Sequence, residues 1–257
     1  MINDRSILER FDAEMRRDPA PEPGIRVDAL GDVVRVTGSY ACISYASLGE
    51  AGADRAIDEQ VAYFTRLGQD VEWKVYGHDR PADLGARLAA RGFVPGEAET
   101  LMVFDLASGT PPSSPGPGIE IRRVHDESGL GDFIAVHAEA FARDDRSMAE
   151  RFRDRLADPA LALFVAYAGG RPVAAARLEL PPGRSFAGLW GGGTVPDFRG
   201  RGIYRALVME RARAARQAGY RYLRVDARDT SRPILARLGF TALTSVTEWV
   251  LKPGRRR

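Results

Sequence analysis

Lysine is nearly absent: of 37 basic residues only Lys74 and Lys252 are lysine, and arginine supplies the rest. This bias is compatible with codon usage and carries little functional weight. Cysteine is scarcer still. Cys42 stands alone, which excludes an internal disulfide framework, fits a reducing compartment and leaves the thiol as a small structural residue. The three histidines, His78, His125 and His137, fall at no metal-ligand spacing, so no metal site is expected and each reads as a polar surface or hydrogen-bonded position. Long apolar runs are missing as well. The opening "MINDRSILERFDAEMRRD" is broken by charges throughout and lacks the apolar core of a signal sequence, and no window approaches a membrane span. A cytoplasmic protein with no membrane partner is the expectation. Charge of one sign is also lacking: a net charge of +2 gives no reason to expect nucleic acid or an acidic membrane surface. The closing "GRRR" reads as a solvated tail.

What is present is the makeup of a globular protein, 257 residues of which 44% are hydrophobic and 28% charged, enough for one large domain or two small ones. "ASGTPPSSPGPG", residues 107–118, carries no large apolar side chain and reads as a linker. The expected division is therefore 1–106, a linker at 107–117, and 118–257. Ahead of the first strands, Ile7, Leu8, Phe11 and Met15 outline an amphipathic helix, with Ser6 and Glu9 as a capping box.

After the linker, "IEIRRV" alternates like a strand, and helical patterns run from about Asp126 to Ala142 and from Met148 to Leu156. "LALFVAYAGGRPVAAARLEL" places apolar runs on either side of Gly169 and Gly170, a hairpin pattern. "FAGLWGGGTV" is a strand whose Gly191, Gly192 and Gly193 suggest a bulge or a close backbone approach. A helix with Ile203, Tyr204, Leu207, Val208 and Ala215 on one stripe follows, ending at Gly219. "YRYLRVDA" is a strand, Ser231 and Pro233 open a short helix, and a last pair of short strands reaches Leu251. The first half repeats the latter part of this order. A helix over residues 53–67 stops at Gly68, and "VEWKVYG", "DRPADLGARLAARGF" and "ETLMVFDL" follow as strand, helix and strand. The repetition suggests an internal duplication, with coincidental α/β patterning as the alternative.

"TVPDFRGRGIYRAL", residues 194–207, joins a strand to a helix through two arginines and two glycines. Glycine at a helix entry costs stability, so close approach of a ligand is the reason to look for. Unpaired amides and the helix dipole face an anion there. Gly200 and Gly202 keep side chains away from it, and Arg199 and Arg201 supply positive charge. A P-loop would need Lys followed by Ser or Thr after the glycines, and a dinucleotide fingerprint would need a third glycine where Arg205 stands. A third competing reading is the pyrophosphate of coenzyme A.

At this point "VPDFRGRGIYRAL" resembles the signature of the GNAT superfamily of acetyltransferases, an R/Q-x-x-G-x-G/A turn that cradles acetyl-CoA. Arg199, Gly202 and Tyr204 fall on the motif positions with Gly200, Arg201 and Ile203 between them, and Tyr204 departs from the small residue of the pattern. The likeness extends over residues 118–252 in element order and includes the closing "RLGF". Residues 33–106 resemble the later part of the same fold without its phosphate turn. The resemblance implies an α/β (α+β) fold, a GNAT-like mixed central sheet flanked by helices, in two tandem units. The first would be a degenerate copy serving as scaffold or lid, or else an unrelated small domain.

The resemblance further implies that acetyl-CoA is the acyl donor, held by Arg199, Gly200, Arg201, Gly202, Ile203 and Tyr204, with the amides of Thr194 and Val195 polarising the thioester. Ser231 would touch the pantetheine arm or serve only as an N-cap. Family members often carry a carboxylate on the strand occupied here by "LWGGG" and a tyrosine acid at the position of Leu235, and this chain has neither. Glu179, on the preceding strand, is the candidate base, its alternative being an ordinary surface glutamate. Trp190 and Phe198 read as packing, with lining of the acceptor pocket as the other role for Trp190. The expected acceptor is a small-molecule or peptide amine. An acyl-CoA-binding sensor without turnover and a transferase of longer acyl chains are the rival readings.

Overall fold

The computed structural model describes residues 4–109, 116–142 and 146–254. The core of the expected linker, 110–115, and the final arginines, 255–257, lie outside the described residues. The chain divides into two compact units that are not contiguous in sequence. One holds the residues up to Met102 together with Asp226–Arg232 and the chain from Ala242 onward, and the other holds Val103–Val225 and Pro233–Thr241. This differs from the single break expected at the linker.

In the first unit, α1 (Asp4–Phe11) runs into a π-helical turn, Asp12–Arg17, followed by β1 (Ile25–Leu30), β2 (Val33–Gly38), β3 (Cys42–Ala46), α2 (Glu50–Leu67), β4 (Val71–Tyr76), α3 (Leu84–Ala89) and β5 (Val94–Asp105). Ile7 and Phe11 are buried as the helical spacing predicts, whereas Ser6 lies inside the first turn of α1 and not at its N-cap. Gly68 ends α2 in the left-handed conformation. Arg16, only 2% exposed, ties the N-terminal segment down: it meets both oxygens of Asp79 at 2.8 and 2.7 Å and Asp12 at 2.7 Å. The apolar core gathers Ile43, Ile57, Phe64, Trp73, Leu84, Leu88 and Phe93.

The last strand, β11 (Thr241–Leu251), is one element where two short ones were expected, and most of it belongs to this first unit. It pairs antiparallel with β4, from Val246 opposite Tyr76 to Leu251 opposite Val71. The strand order is β1-β2-β3-β4-β11-β5. Trp249 explains part of the choice. Its ring lies where a Cβ on Gly85 would come within 2.7 Å, and it packs against the first unit's core.

In the second unit come β6 (Ile119–Arg123), α4 (Glu127–Phe141), α5 (Arg146–Arg153), β7 (Leu161–Ala168), β8 (Arg171–Glu179), β9 (Phe186–Thr194), α6 (Ile203–Gln217), β10 (Tyr222–Ala227, up to Val225 here) and most of α7 (Arg232–Arg237). The strands follow the order β10-β9-β8-β7-β6, with the end of β5 beside β10. Gly169 and Gly170, both at positive φ, turn β7 into β8 as the hairpin pattern requires. Asp126 caps α4 by accepting the Gly129 N–H at 2.8 Å. The large mixed sheet and its flanking helices match the expected fold class.

Candidate functional site

The strand preceding the arginine–glycine turn is irregular for reasons its sequence carries. Across β8 and β9, Ala175 faces Gly193 and Arg177 faces Trp190, so Ala176 alone stands opposite Gly191 and Gly192. This is a β-bulge with its first residue, Gly191, at φ 54°. Each glycine is also pressed by a neighbour. A Cβ would lie 3.0 Å from the His137 ring at Gly191, 3.0 Å from the Tyr204 ring at Gly192, and 2.8 Å from the Phe141 ring at Gly193. Both sequence readings of the run, bulge and close approach, describe what is there.

β9 and β10 run parallel, and their pairing covers only Phe186, Ala187 and Gly188 against Tyr222, Leu223 and Arg224. Beyond Gly188 no pairing joins the two strands, and the edge of β9 opens. The amides on that edge follow from alternation. Val195 donates its N–H to Val173 of β8 at 3.0 Å, so the backbone of Thr194 points the other way, to the open edge. The Thr194 carbonyl on that edge accepts from Arg199 Nε at 3.1 Å. Of the two amides expected to face a ligand, Thr194 is therefore placed on the open edge, and Val195 is buried with its amide already engaged.

The turn itself consists of a 3-10 segment, Pro196–Phe198, then Arg199 to Gly202, then the 15 residues of α6. Gly200 and Gly202 take φ 75° and 78°, a left-handed backbone that favours glycine. Among the described residues, apart from its chain neighbours, no atom stands within 4 Å of a Cβ built on either, so neither glycine is held small by packing. Gly202 is the N-cap of α6 and no side chain caps it, so the positive end of the helix dipole faces the turn. Arg199 also reaches the Ala140 carbonyl at 3.2 Å, and Arg201 donates to the Asp197 carbonyl at 3.0 Å while stacking on Phe198. Tyr204 does not crowd the turn. Its ring edge lies against Gly192, on the strand side.

Glu179 stands opposite Gly188, in the row where the β9–β10 pairing ends, and pairs with Arg177 at 3.2 Å. Trp190 occupies the neighbouring row, with Arg177 and Arg224 over its ring at 5.8 and 4.8 Å. Its indole nitrogen folds over Gly188, where a Cβ would be 2.7 Å away. Ser231 belongs to the first unit, and its hydroxyl donates to the Arg228 carbonyl at 3.1 Å instead of capping α7. Leu235 is fully buried.

Two residues to which sequence reading gave no part in the site sit at the bulge: His137, read as a polar surface or hydrogen-bonded position, and Arg211. His137 is 2% exposed and lies in the aromatic column of Phe133 and Phe141, with ring centroids at 5.9 and 4.5 Å. Its spacing from Leu130 and Phe133 on α4 was the available signal. Arg211 is 1% exposed and spans from α6 to the bulge. It falls on the buried stripe of α6, eight residues after Ile203, where a charged side chain is out of place. Among the described residues no group of three or more metal-ligating side chains occurs, and no helix is long and apolar enough to cross a membrane.

Residues 131–240 match the model of the Acetyltransferase (GNAT) family. That stretch is similar to a GNAT domain. Solved GNAT structures share the fold over nearly the whole chain. A GCN5-related N-acetyltransferase from Kribbella flavida has 15% identity and a TM-score of 0.65, covering 98% of this chain and 94% of that one. A tandem GNAT protein from the clavulanic acid biosynthesis pathway has 15% identity and a TM-score of 0.64, covering 99% and 95%. A GCN5-related N-acetyltransferase from Sphaerobacter thermophilus has 15% identity and a TM-score of 0.63, covering 96% and 85%. No curated protein matches the chain.

Proposed function

We propose that the protein transfers an acetyl group from acetyl-CoA to a primary amine on a small molecule or peptide, using the opened edge of β9 and the arginine–glycine turn. The observation that carries this reading is the end of the β9–β10 pairing at Gly188 and Arg224, followed by a turn with Gly200 and Gly202 in the left-handed conformation. The parted strand offers a backbone edge for an amide-rich arm, and the turn offers helix-terminal amides for its pyrophosphate. Arg199 and Arg201, which donate to the carbonyls of Thr194, Ala140 and Asp197, would exchange those for phosphate oxygens in charge-assisted bonds.

On this reading the Thr194 amide, on the open edge of β9, points at the thioester carbonyl and stabilises charge as it develops on oxygen. The acceptor nitrogen forms the new bond to the carbonyl carbon, the carbon–sulfur bond breaks, and the sulfur leaves with the electron pair. Glu179, directly or through a water, takes the proton that the amine gives up, and solvent returns a proton to the thiolate. Its ion pair with Arg177 fixes the carboxylate at the row where the strands part. The reading extends to a tandem arrangement in which the first unit is a GNAT-like copy without a phosphate turn. It supplies the strand, helix, strand series β3, α2, β4, with β3 and β4 parallel at Cys42–Glu72 and Ile43–Trp73, but α2 opens on Gly49 and Glu50 with no arginine.

The test is release of free CoA thiol from acetyl-CoA with a panel of amines, peptides and amino sugars. Acceptor-dependent release that falls at least about tenfold in Glu179→Gln, with acetyl-CoA affinity kept, is the expected result. Tight acetyl-CoA binding with no acceptor-dependent release across the panel favours a sensor, and equal rates in both proteins remove Glu179 from the mechanism.

A further inference from the structure

Arg211 is a buried cation in the wrong company. Its guanidinium is 1% exposed, and no carboxylate among the described residues pairs with it. Its donors go to carbonyls: Nε to Leu207 on its own helix at 3.1 Å, and Nη1 to Arg177 on β8 at 3.0 Å and Trp190 on β9 at 3.5 Å. The last two are the residue pair at which the β8–β9 register shifts. Nη2 lies 3.4 Å from where a Cβ on Gly192 would stand, so the charge sits directly behind the bulge. Tyr204, whose ring presses on the same glycine, is the titratable group that bears on it.

Burial pulls this arginine down to about 10, which still leaves it charged at neutral pH. An uncompensated buried charge is costly, and an apolar side chain of similar size usually serves packing better. Carbonyl dipoles at a bulge could be satisfied by water or by neutral donors, so hydrogen bonding alone does not require a full positive charge. A fixed charge in a site of low dielectric acts over several ångströms on any charge formed in front of the strand.

We propose that Arg211 is a positioning residue for acyl transfer: it pins the β8–β9 bulge and holds a positive charge behind Gly192 that favours the negative charge appearing as the carbon–sulfur bond breaks. The inference rests on the acetyl-CoA reading above. It assigns to α6 a second task besides presenting its N-terminus, since one end of the helix meets the pyrophosphate and a side chain two turns along meets the reacting centre from behind. It also gives a reason for Gly192 to lack a side chain, because any Cβ there would separate the strand from the guanidinium and the Tyr204 ring.

The experiment compares wild type, Arg211→Lys and Arg211→Met in the full chain, titrating each by calorimetry with CoA and with desulfo-CoA at a pH near the ordinary thiol value of about 8.5. The ratio of the two affinities reports how far the protein prefers a thiolate, and thermal melting reports folding separately. The wild type should prefer CoA over desulfo-CoA by about threefold or more. Arg211→Lys should keep most of that preference because it keeps the charge, and Arg211→Met should lose it while still binding desulfo-CoA. A preference unchanged in Arg211→Met overturns the proposal and leaves Arg211 a structural clamp. If Arg211→Met does not fold, Arg211→Lys decides through the same ratio: loss of preference with the charge retained contradicts the electrostatic role. Absence of CoA and desulfo-CoA binding in the wild type overturns the acetyl-CoA reading, and this inference falls with it.

Discussion

At the scale of single residues, glycine is where this chain commits itself, and it does so for two different reasons. Gly191, Gly192 and Gly193 are short because other side chains press on the strand, while Gly200 and Gly202 are short because the backbone turns left-handed in open space. The two classes respond differently to the same substitution. Gly193→Ala would put a Cβ 2.8 Å from the Phe141 ring and 2.9 Å from Ala140, so α4 must move. We expect a loss of about 2 kcal/mol in denaturant unfolding, with weakened acetyl-CoA binding. Gly200→Ala meets nothing and should cost only about 1 kcal/mol, from its positive φ. A reversed order of the two losses would contradict the packing described at the bulge. The sequence made the glycine run, the turn and the candidate carboxylate legible because each is a local pattern. Arg211 and His137 were not legible, since a charged or polar residue on a buried helical stripe shows its role only when the facing strand is known.

At the scale of elements, local periodicity carried most helices and strands to within a few residues, and tertiary pairing escaped it. The clearest case is β11. Its alternating residues announce a strand, but nothing in "TALTSVTEWVL" says that its partner is β4, some 170 residues earlier. Strand partners are chosen by side-chain fit over a register, and here the fit includes Trp249 closing on Gly85. That contact can be isolated by a double-mutant cycle. Trp249→Ala should destabilise by about 2–3 kcal/mol as the half-buried ring is lost. Gly85→Ala alone should also destabilise, because its Cβ strikes the ring. In the Trp249→Ala background the same change should stabilise by a few tenths to about 1 kcal/mol, alanine being the better helix former. Additive effects, within about 0.5 kcal/mol, would show that the two residues do not meet. Truncation before Ala242 should be more severe, since β4 then loses its antiparallel partner along six residue pairs. Hydrogen exchange at Val71–Tyr76 should rise to the rate of an unprotected edge.

At the scale of the whole molecule, the chain is read as two related units of which one carries the chemistry. The strands that complete them are exchanged in sequence: β11 serves the first, and the end of β5 serves the second. Composition marks the linker at 107–117, but an exchange of strands leaves no compositional mark, so the two compact units are not legible before the pairing is known. One prediction belongs to this scale. Binding of acetyl-CoA to the turn should raise the melting temperature of the full chain in proportion to the logarithm of ligand concentration above saturation, as expected for a ligand of the native state. The most direct test of the central claim is calorimetric titration of the full chain with acetyl-CoA, CoA and ATP, beside Gly202→Asp. The account predicts that acetyl-CoA and CoA bind the wild type, that ATP does not, and that the aspartate weakens CoA binding about a hundredfold or more, roughly 2.7 kcal/mol, by setting a carboxylate at the phosphate seat. Equal CoA affinity in wild type and variant, or no CoA binding at all, would contradict it.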